Sequence, residues 1–181
     1  MIYHLDLKTG IIQGARRWER RLEDMRETFG SAEAVEERLR EGNPLIYEVY
    51  EVSGRSSEVG ELIWSTTVLY PGKVGDEYCM TKGHYHRDPA SVEVYLVLSG
   101  EGFLLLKGTA GKPRALPLRS GSIAHIPPGF AHRMVNTGTE PFIFFAVYPA
   151  QAGHDYERVK REGFGLRVLE MDGKPNLVEV P

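Results

Sequence analysis

The sequence has one cysteine, Cys79, in 181 residues. No internal disulfide can form, so stability has to come from packing, and Cys79 is expected to be an inert core residue rather than a reactive thiol. Positive charge is not in excess either, with 22 Lys and Arg against 25 Asp and Glu and a net charge of −3. That balance gives no basic field of the kind nucleic-acid binding uses, which excludes DNA and RNA as partners. Long apolar runs are missing as well; the longest, 142–148, falls far short of the roughly 18 residues that suggest a membrane span. The first twenty residues, MIYHLDLKTGIIQGARRWER, are charged throughout and lack the apolar stretch of a secretory signal. A cytoplasmic protein with no membrane partner is the expectation. There are no internal repeats, low-complexity segments or linkers, and 181 residues with 41% hydrophobic content suffice for one proper core and are few for two. One domain over 1–181 is therefore expected, with an N-terminal arm and helices in 1–43, a β-barrel in 44–150 and a helix and tail in 151–181.

Residues 1–15 read as an extended arm that turns at Thr9-Gly10. Between Glu19 and Glu41, Leu22, Met25 and Phe29, then Ala34, Val35 and Leu39, recur at helical spacing and predict two short amphipathic helices. Gly30-Ser31 separates them, with Ser31 placed to cap the second and Gly42 to end it. After Pro44 the chain becomes short runs of Tyr, Val, Ile, Thr and Leu, predicted as strands at 45–52, 62–70, 77–85, 92–98, 102–107, 114–118, 123–126, 132–136 and 142–147. Breaks at Gly54, Pro71-Gly72, Ser99-Gly100, Gly108, Gly121, Pro127-Pro128-Gly129 and Gly138 divide them, as an antiparallel barrel or sandwich requires. No helix-length pattern interrupts the series, which argues against a parallel sheet. A short helix around 156–162 and an extended end complete the chain.

His84-Tyr85-His86 places two imidazoles on one face of a strand, with Cα atoms about 7 Å apart. The polar segment 87–91 has the composition of a hairpin loop that returns Glu93 to the pair, and His132 follows the tight Pro127-Pro128-Gly129 turn. Three imidazoles and one carboxylate suit Fe(II), Mn, Ni, Co or Zn, and no thiolate is present to favour zinc or copper. His-x-His alone is a weak signal, since strand histidines are more often surface or satisfied core residues; four such elements in series are a stronger one.

The segment 84–100 resembles the first cupin motif, His-x-His followed by Glu and then Gly. The segment 121–136 matches the second, G-x5-P-x-G-x2-H-x3-N, at every defined position. The six-residue gap between His86 and Glu93 is longer than usual, and Tyr78 stands where a glycine is expected; both departures bear on the hairpin's shape rather than on the ligands. The flanks Tyr47-Glu-Val-Tyr50, 66–75, 81–86, Glu93-Val-Tyr95 and 148–156 look like those of the archaeal cupin-type phosphoglucose isomerases, with a resemblance that runs roughly from residue 8 to 170.

This resemblance implies an all-β cupin double-stranded β-helix with short terminal helices. It also implies a glycolytic and gluconeogenic isomerase that interconverts glucose 6-phosphate and fructose 6-phosphate as a homodimer. One divalent ion per subunit, usually Fe(II), would sit on His84, His86, Glu93 and His132. Tyr47, Thr67, Thr81 and Gly83 would lie at the phosphate, and Tyr95, Tyr148, His154 and Tyr156 around the sugar chain, with Glu93, Tyr95 and His154 as catalytic candidates. Without the resemblance, Thr67 and Thr81 would read as ordinary strand threonines. His154 and Asp155 either orient each other or cap the following helix, Lys82 can add a charge at the phosphate, and His125 is expected to be structural. Two hydrogen-transfer routes are open, an enediol route with Glu93 as base and a metal-assisted hydride shift with Glu93 as ligand only. Rival readings are an Fe(II) cupin dioxygenase with the same ligand set and a non-catalytic sugar-phosphate-binding module.

Overall fold

Short β-branched and aromatic runs separated by turn residues become strands because alternate side chains can be buried while the backbone pairs laterally. The computed structural model describes residues 1–53 and 60–180, so the turn expected at Gly54 lies outside the described residues. In chain order the elements are β1 (Arg16–Arg21), a 3-10 turn (Leu22–Met25), α1 (Ala32–Glu41), β2 (Leu45–Val52), β3 (Leu62–Leu69), β4 (Lys73–Val74), β5 (Glu77–Tyr78) and β6 (Tyr85–His86). They continue with β7 (Glu93–Ser99), β8 (Glu101–Lys107), β9 (Arg114–Arg119), β10 (Ile123–Ile126), β11 (Ala131–Asn136), β12 (Phe142–Pro149), β13 (His154–Asp155), α2 (Tyr156–Glu162), β14 (Leu166–Met171) and β15 (Lys174–Glu179).

One sheet runs β1-β2-β3-β12-β7-β10 and a second runs β11-β8-β9. An antiparallel bridge between His84 and His132 joins the start of β6 to the edge of the second sheet. Strands 3, 12, 7 and 10 thus lie beside one another in one layer and 6, 11, 8 and 9 in the other, the winding of a jelly roll and of the cupin double-stranded β-helix. Leu69, Leu104, Ile126, Met134 and Phe142 are fully buried in the core. Cys79 is buried as well, and burial pushes its thiol up to about 12, so it stays protonated and inert.

Several local expectations change. The segment expected as a first helix is a strand and a single 3-10 turn, because 16–21 pairs with β2 and places Trp18 opposite Val49. Leu22 and Met25, three residues apart, are both fully buried by that one turn. The expected strand 77–85 is broken into β5, β6 and single bridges. Between them the chain crosses from one sheet to the other, with Thr81 N–H donating to Met134 O (2.8 Å) and Asn136 N–H to Cys79 O (2.9 Å). Gly83 takes a φ of 71° at the crossing. The extended tail is a hairpin of β14 and β15 turning at Asp172-Gly173, both with positive φ, a turn signal present in the sequence. The second helix behaves as expected, with Ser31 Oγ accepting from Ala34 N–H (3.1 Å) and Gly42 at its end.

Asn136, the last defined position of the second motif, is a fastening point rather than a site residue. Its buried amide donates to Leu69 O and Glu140 O, and its oxygen accepts from Gly138 N–H, each at 2.9 Å. Replacing it by Ala leaves two buried carbonyls and one N–H unmatched and is expected to lower stability by about 2–4 kcal/mol in urea unfolding, with metal uptake retained. A change below about 0.5 kcal/mol would show that water takes over these bonds.

Candidate metal centre and substrate pocket

Backbone pairing builds the centre. His84 N–H donates to His132 O (3.2 Å) and His132 N–H to His84 O (3.0 Å), which sets the two rings 4.3 Å apart between centroids. Strand alternation keeps His86 on the side of His84. Asp88 closes the intervening loop by accepting from Ala90 N–H (3.1 Å) and Ser91 Oγ (2.7 Å), so Glu93 re-enters β7 facing the histidines. One ligand atom from each of His84, His86, Glu93 and His132 lies within 4.8 Å of every other.

The donor set fits a divalent cation. His86 Nδ1 donates to the Ser91 carbonyl (3.2 Å) and Nε2 hydrogen-bonds Glu93 Oε2 (3.0 Å). Burial opposes the charged ring, but Glu93 raises its pKa, and a cation that displaces the Nε2 proton would take its place against Glu93. His132 Nε2 lies 2.9 Å from the same oxygen but without the alignment of a hydrogen bond, and the buried Nε2 of His84 has no partner among the described residues. Ring nitrogens and a carboxylate that converge on one point, with the far side of His86 anchored to a carbonyl, form the arrangement a metal completes. Burial alone would raise the Glu93 carboxyl, but His132 and His86 outweigh it and hold it at about 2. Burial, reinforced by His132, His154 and His86, keeps His84 well below its usual value, so it is neutral and ready to ligate.

The pocket over this centre is lined by alternate residues of adjacent strands: Tyr47, Val49 and Glu51 of β2, Ser65 and Thr67 of β3, Phe144, Ala146 and Tyr148 of β12, and Glu93 and Tyr95 of β7. Trp18, Thr81, Gly83, His84, His132, His154 and Tyr156 complete it, so of the site residues expected from sequence only His86 lies outside the lining, where its Nε2 meets Glu93. At the Thr81 end, the side-chain oxygen accepts from Met134 N–H (3.1 Å), which leaves the hydroxyl proton free to donate elsewhere. The Tyr47 hydroxyl lies against the Lys82 backbone, and burial followed by Tyr156 raises its pKa. Beside the cluster, His154 pairs with His86 across β13 and β6, and its ring meets His84 edge-on at 4.2 Å. Burial lowers its pKa to about 4. Asp155 does not orient it; it caps α2 by accepting from Arg158 N–H (3.0 Å). His125 is exposed on β10, outside the site, and no packing role is visible for it.

A family model described as Glucose-6-phosphate isomerase (GPI) matches residues 19–178. The chain belongs to the glucose-6-phosphate isomerase family. All the site residues expected from sequence lie inside that match. The relatives named glucose-6-phosphate isomerase include those of Thermococcus gammatolerans, 48% identical, and Pyrococcus furiosus, 45% identical; each alignment covers 98% of this chain and 93% of the relative. A putative glucose-6-phosphate isomerase 2 of Rhizobium meliloti is 34% identical over 95% of this chain and 86% of its own. Among solved structures, a Bacillus subtilis oxalate decarboxylase mutant aligns with TM-score 0.48 and 20% identity over 60% of this chain, which spans 27% of that protein.

Sequence reasoning missed Trp18 and Glu51 in this family member's pocket. Trp18 packs edge-on against Tyr47 at 6.1 Å and carries Arg20 at 4.8 Å from its ring centroid. It becomes visible as a pocket residue only once β1 is recognised as a strand. Glu51 accepts from the Tyr148 hydroxyl (3.5 Å); its signal was available, because it shares the period-2 face of Tyr47.

Two expectations follow. A Cβ at Gly83 would sit 2.8 Å from the Phe164 ring at a φ of 71°, so Gly83→Ala should cost about 1–3 kcal/mol in thermal unfolding; an unchanged melting temperature would show that the loop yields. In chelator-treated protein, the unfolded chain protonates His154 below its usual 6.5 whereas the folded chain resists until about 4. Stability is therefore lost as pH falls from 6.5 to 4 and unaffected by this group above 6.5. Urea titrations should show His154→Asn losing less stability than the parent over that window; parallel losses in both proteins would refute the assignment.

Proposed function

We propose that this chain is a metal-dependent glucose-6-phosphate isomerase that interconverts glucose 6-phosphate and fructose 6-phosphate in glycolysis and gluconeogenesis, acting as one cytoplasmic domain. The observation that carries this reading is that the three-histidine, one-carboxylate cluster shares one pocket with Tyr47, Thr67, Thr81 and Gly83, in a member of this family. Hydroxyls and a glycine N–H can hold a phosphate without a basic field. Tyr95, Tyr148, His154 and Tyr156 then span the length of the sugar between the phosphate and the metal, and the neutral His154 ring can donate or accept along that chain. A dioxygenase would have little use for the hydroxyl-lined end.

His84, His86, Glu93 and His132 would hold the ion, with Fe(II) the preferred occupant and Mn, Ni, Co or Zn able to use the same donors. When bound, it supplies Lewis acidity for charge developing on the sugar oxygens. Glu93 is the base in this reading; it takes the proton from C2 of glucose 6-phosphate and returns one to C1 of the enediol. Its pKa of about 2 guarantees the ionised form but makes it a weak acceptor, so Glu93 must loosen from His86 and His132 when the sugar binds. Tyr95, whose hydroxyl burial and Glu93 keep firmly protonated, is a neutral donor next to that carboxylate.

A homodimer is part of the proposal, supported by the outer face of the large sheet. Ile123 pairs with Leu96, Leu96 with Phe145 and Val94 with Val147, which forms one apolar strip on which Ile123 is 74% exposed.

Chelation should abolish formation of glucose 6-phosphate from fructose 6-phosphate, and adding back Fe(II), Mn, Ni, Co and Zn in turn should restore it, most strongly with Fe(II); silence with all five would sink the isomerase reading. Glu93→Gln should lower kcat by about 1,000-fold or more, between general-base loss and weaker ligation, while metal content falls only in part. Near-normal turnover would leave the hydride shift as the surviving route.

A further inference from the structure

On β11 the side chains alternate, so with His132 turned to the metal cluster Arg133 takes the opposite face. There it is 7% exposed and makes no ion pair among the described residues. Glu77, the nearby carboxylate, is already held by Arg167 Nη1 (2.6 Å) and Gly30 N–H (2.7 Å). A buried guanidinium without a carboxylate is expensive and needs a reason. Its contacts supply one. Nη2 donates to Lys82 O (2.8 Å), Nε is buried without a partner, and the guanidinium carbon lies 4.4 Å from the centroid of Phe164. That Phe164 ring and the Cβ of Arg133 are the groups a Cβ at Gly83 would strike, at 2.8 and 3.0 Å. Arg133, Phe164 and Gly83 therefore form one packed unit behind the 81–83 loop.

The Lys82 carbonyl and the Gly83 N–H belong to the same peptide unit. In a planar trans peptide they point in opposite directions, and no cis bond occurs among the described residues. A donor that fixes the carbonyl away from the pocket therefore fixes the N–H toward it, and a charged donor on the oxygen also strengthens the N–H as a donor. We infer that Arg133 is the positioning residue for the substrate phosphate, aiming and polarising the Gly83 N–H from behind the loop and providing positive charge that the hydroxyl-lined pocket lacks. This inference rests on the sugar-phosphate reading above. It explains how a pocket that also contains Glu51 and Glu93 can accept a phosphate carrying about two negative charges. In the adjoining cavity, lined by Lys82, Arg133, Lys160 and Arg167, Lys160 and Arg167 are already paired with Glu27 and Glu77, and Lys82 Nζ lies 5.5 Å from the centroid of Tyr156.

The test compares metal-loaded wild type, Arg133→Gln and Arg133→Lys. KM for fructose 6-phosphate and the inhibition constant of inorganic phosphate should rise about 10- to 100-fold in Arg133→Gln, the value of one charge-assisted hydrogen bond. kcat should fall less than about threefold, on the uniform-binding criterion. Metal content and inhibition by sorbitol, which has no phosphate, should hold, and Arg133→Lys should recover part of the phosphate affinity. Equal weakening of phosphate and sorbitol, or no weakening of either, would overturn the inference. Should Arg133→Gln fail to fold, the zinc-loaded wild type still decides. Inorganic phosphate must then move the amide resonance of Gly83 and the side-chain resonance of Arg133, assigned with Arg133→Lys, and unmoved signals would overturn the inference. Wild type that neither turns over fructose 6-phosphate nor binds phosphate would sink the isomerase reading itself, whereas active wild type with an indifferent Arg133→Gln would sink this inference alone.

Discussion

Two backbone hydrogen bonds between His84 and His132 hold the site together. They connect a crossing segment to the edge of the second sheet and thereby bring the two sequence motifs face to face. Once they form, alternation along β6 places His86, the Asp88-closed loop returns Glu93, and each ring nitrogen is left facing the others. Charge contributes to that convergence only at Glu93, which His132 and His86 hold ionised; His84 is buried and neutral and is brought in by the backbone alone. The backbone brings the donors together, and the cost of crowding them is offset when a cation joins them.

The same crossing divides the pocket into two chemistries. On one side are imidazoles and a carboxylate held at about 2 by its histidine neighbours. On the other are hydroxyls and a glycine peptide with the buried Arg133 behind it. In the proposed reading, the guanidinium packed behind the 81–83 loop adds positive charge for the phosphate without contacting Glu93. Gly83 is indispensable to that separation, because a side chain there would fall on Phe164 and push the loop away from β11.

Much of this was legible locally. Ser31 and Gly42 bounded α1, the Tyr156–Glu162 helix appeared where its spacing put it, and most barrel strands lie within a residue or two of their expected limits. These elements are governed by short-range periodicity, capping and turn chemistry. The failures share a cause. Leu22 and Met25 have helical spacing, yet 16–21 gains more by pairing with β2 than by coiling, and a partner strand cannot be seen from within the segment. The 77–85 run has strand composition, but it passes from β4 and β14 to β11 and β13 and no single strand pairs with it throughout. Trp18 as a pocket residue and Arg133 as the group packed behind the 81–83 loop went unnoticed for the same reason, since the partner of each is distant in sequence.

The sequence by itself determined the ligand types, the fold class and the family, because residue chemistry, period-2 patterning and motif spacing are properties of the chain that survive without coordinates. The tertiary structure alone decided that His132 Nε2 and Glu93 Oε2 approach to 2.9 Å without bonding each other, that Asp155 caps a helix instead of orienting His154, and that a buried guanidinium stands behind Gly83. Those facts depend on which strand lies beside which and at what register. A one-residue slip in β11 would exchange His132 for Arg133 at the ligand cluster, and the bond from the Asn136 amide to Leu69 O on β3 is one of the distant contacts that oppose it.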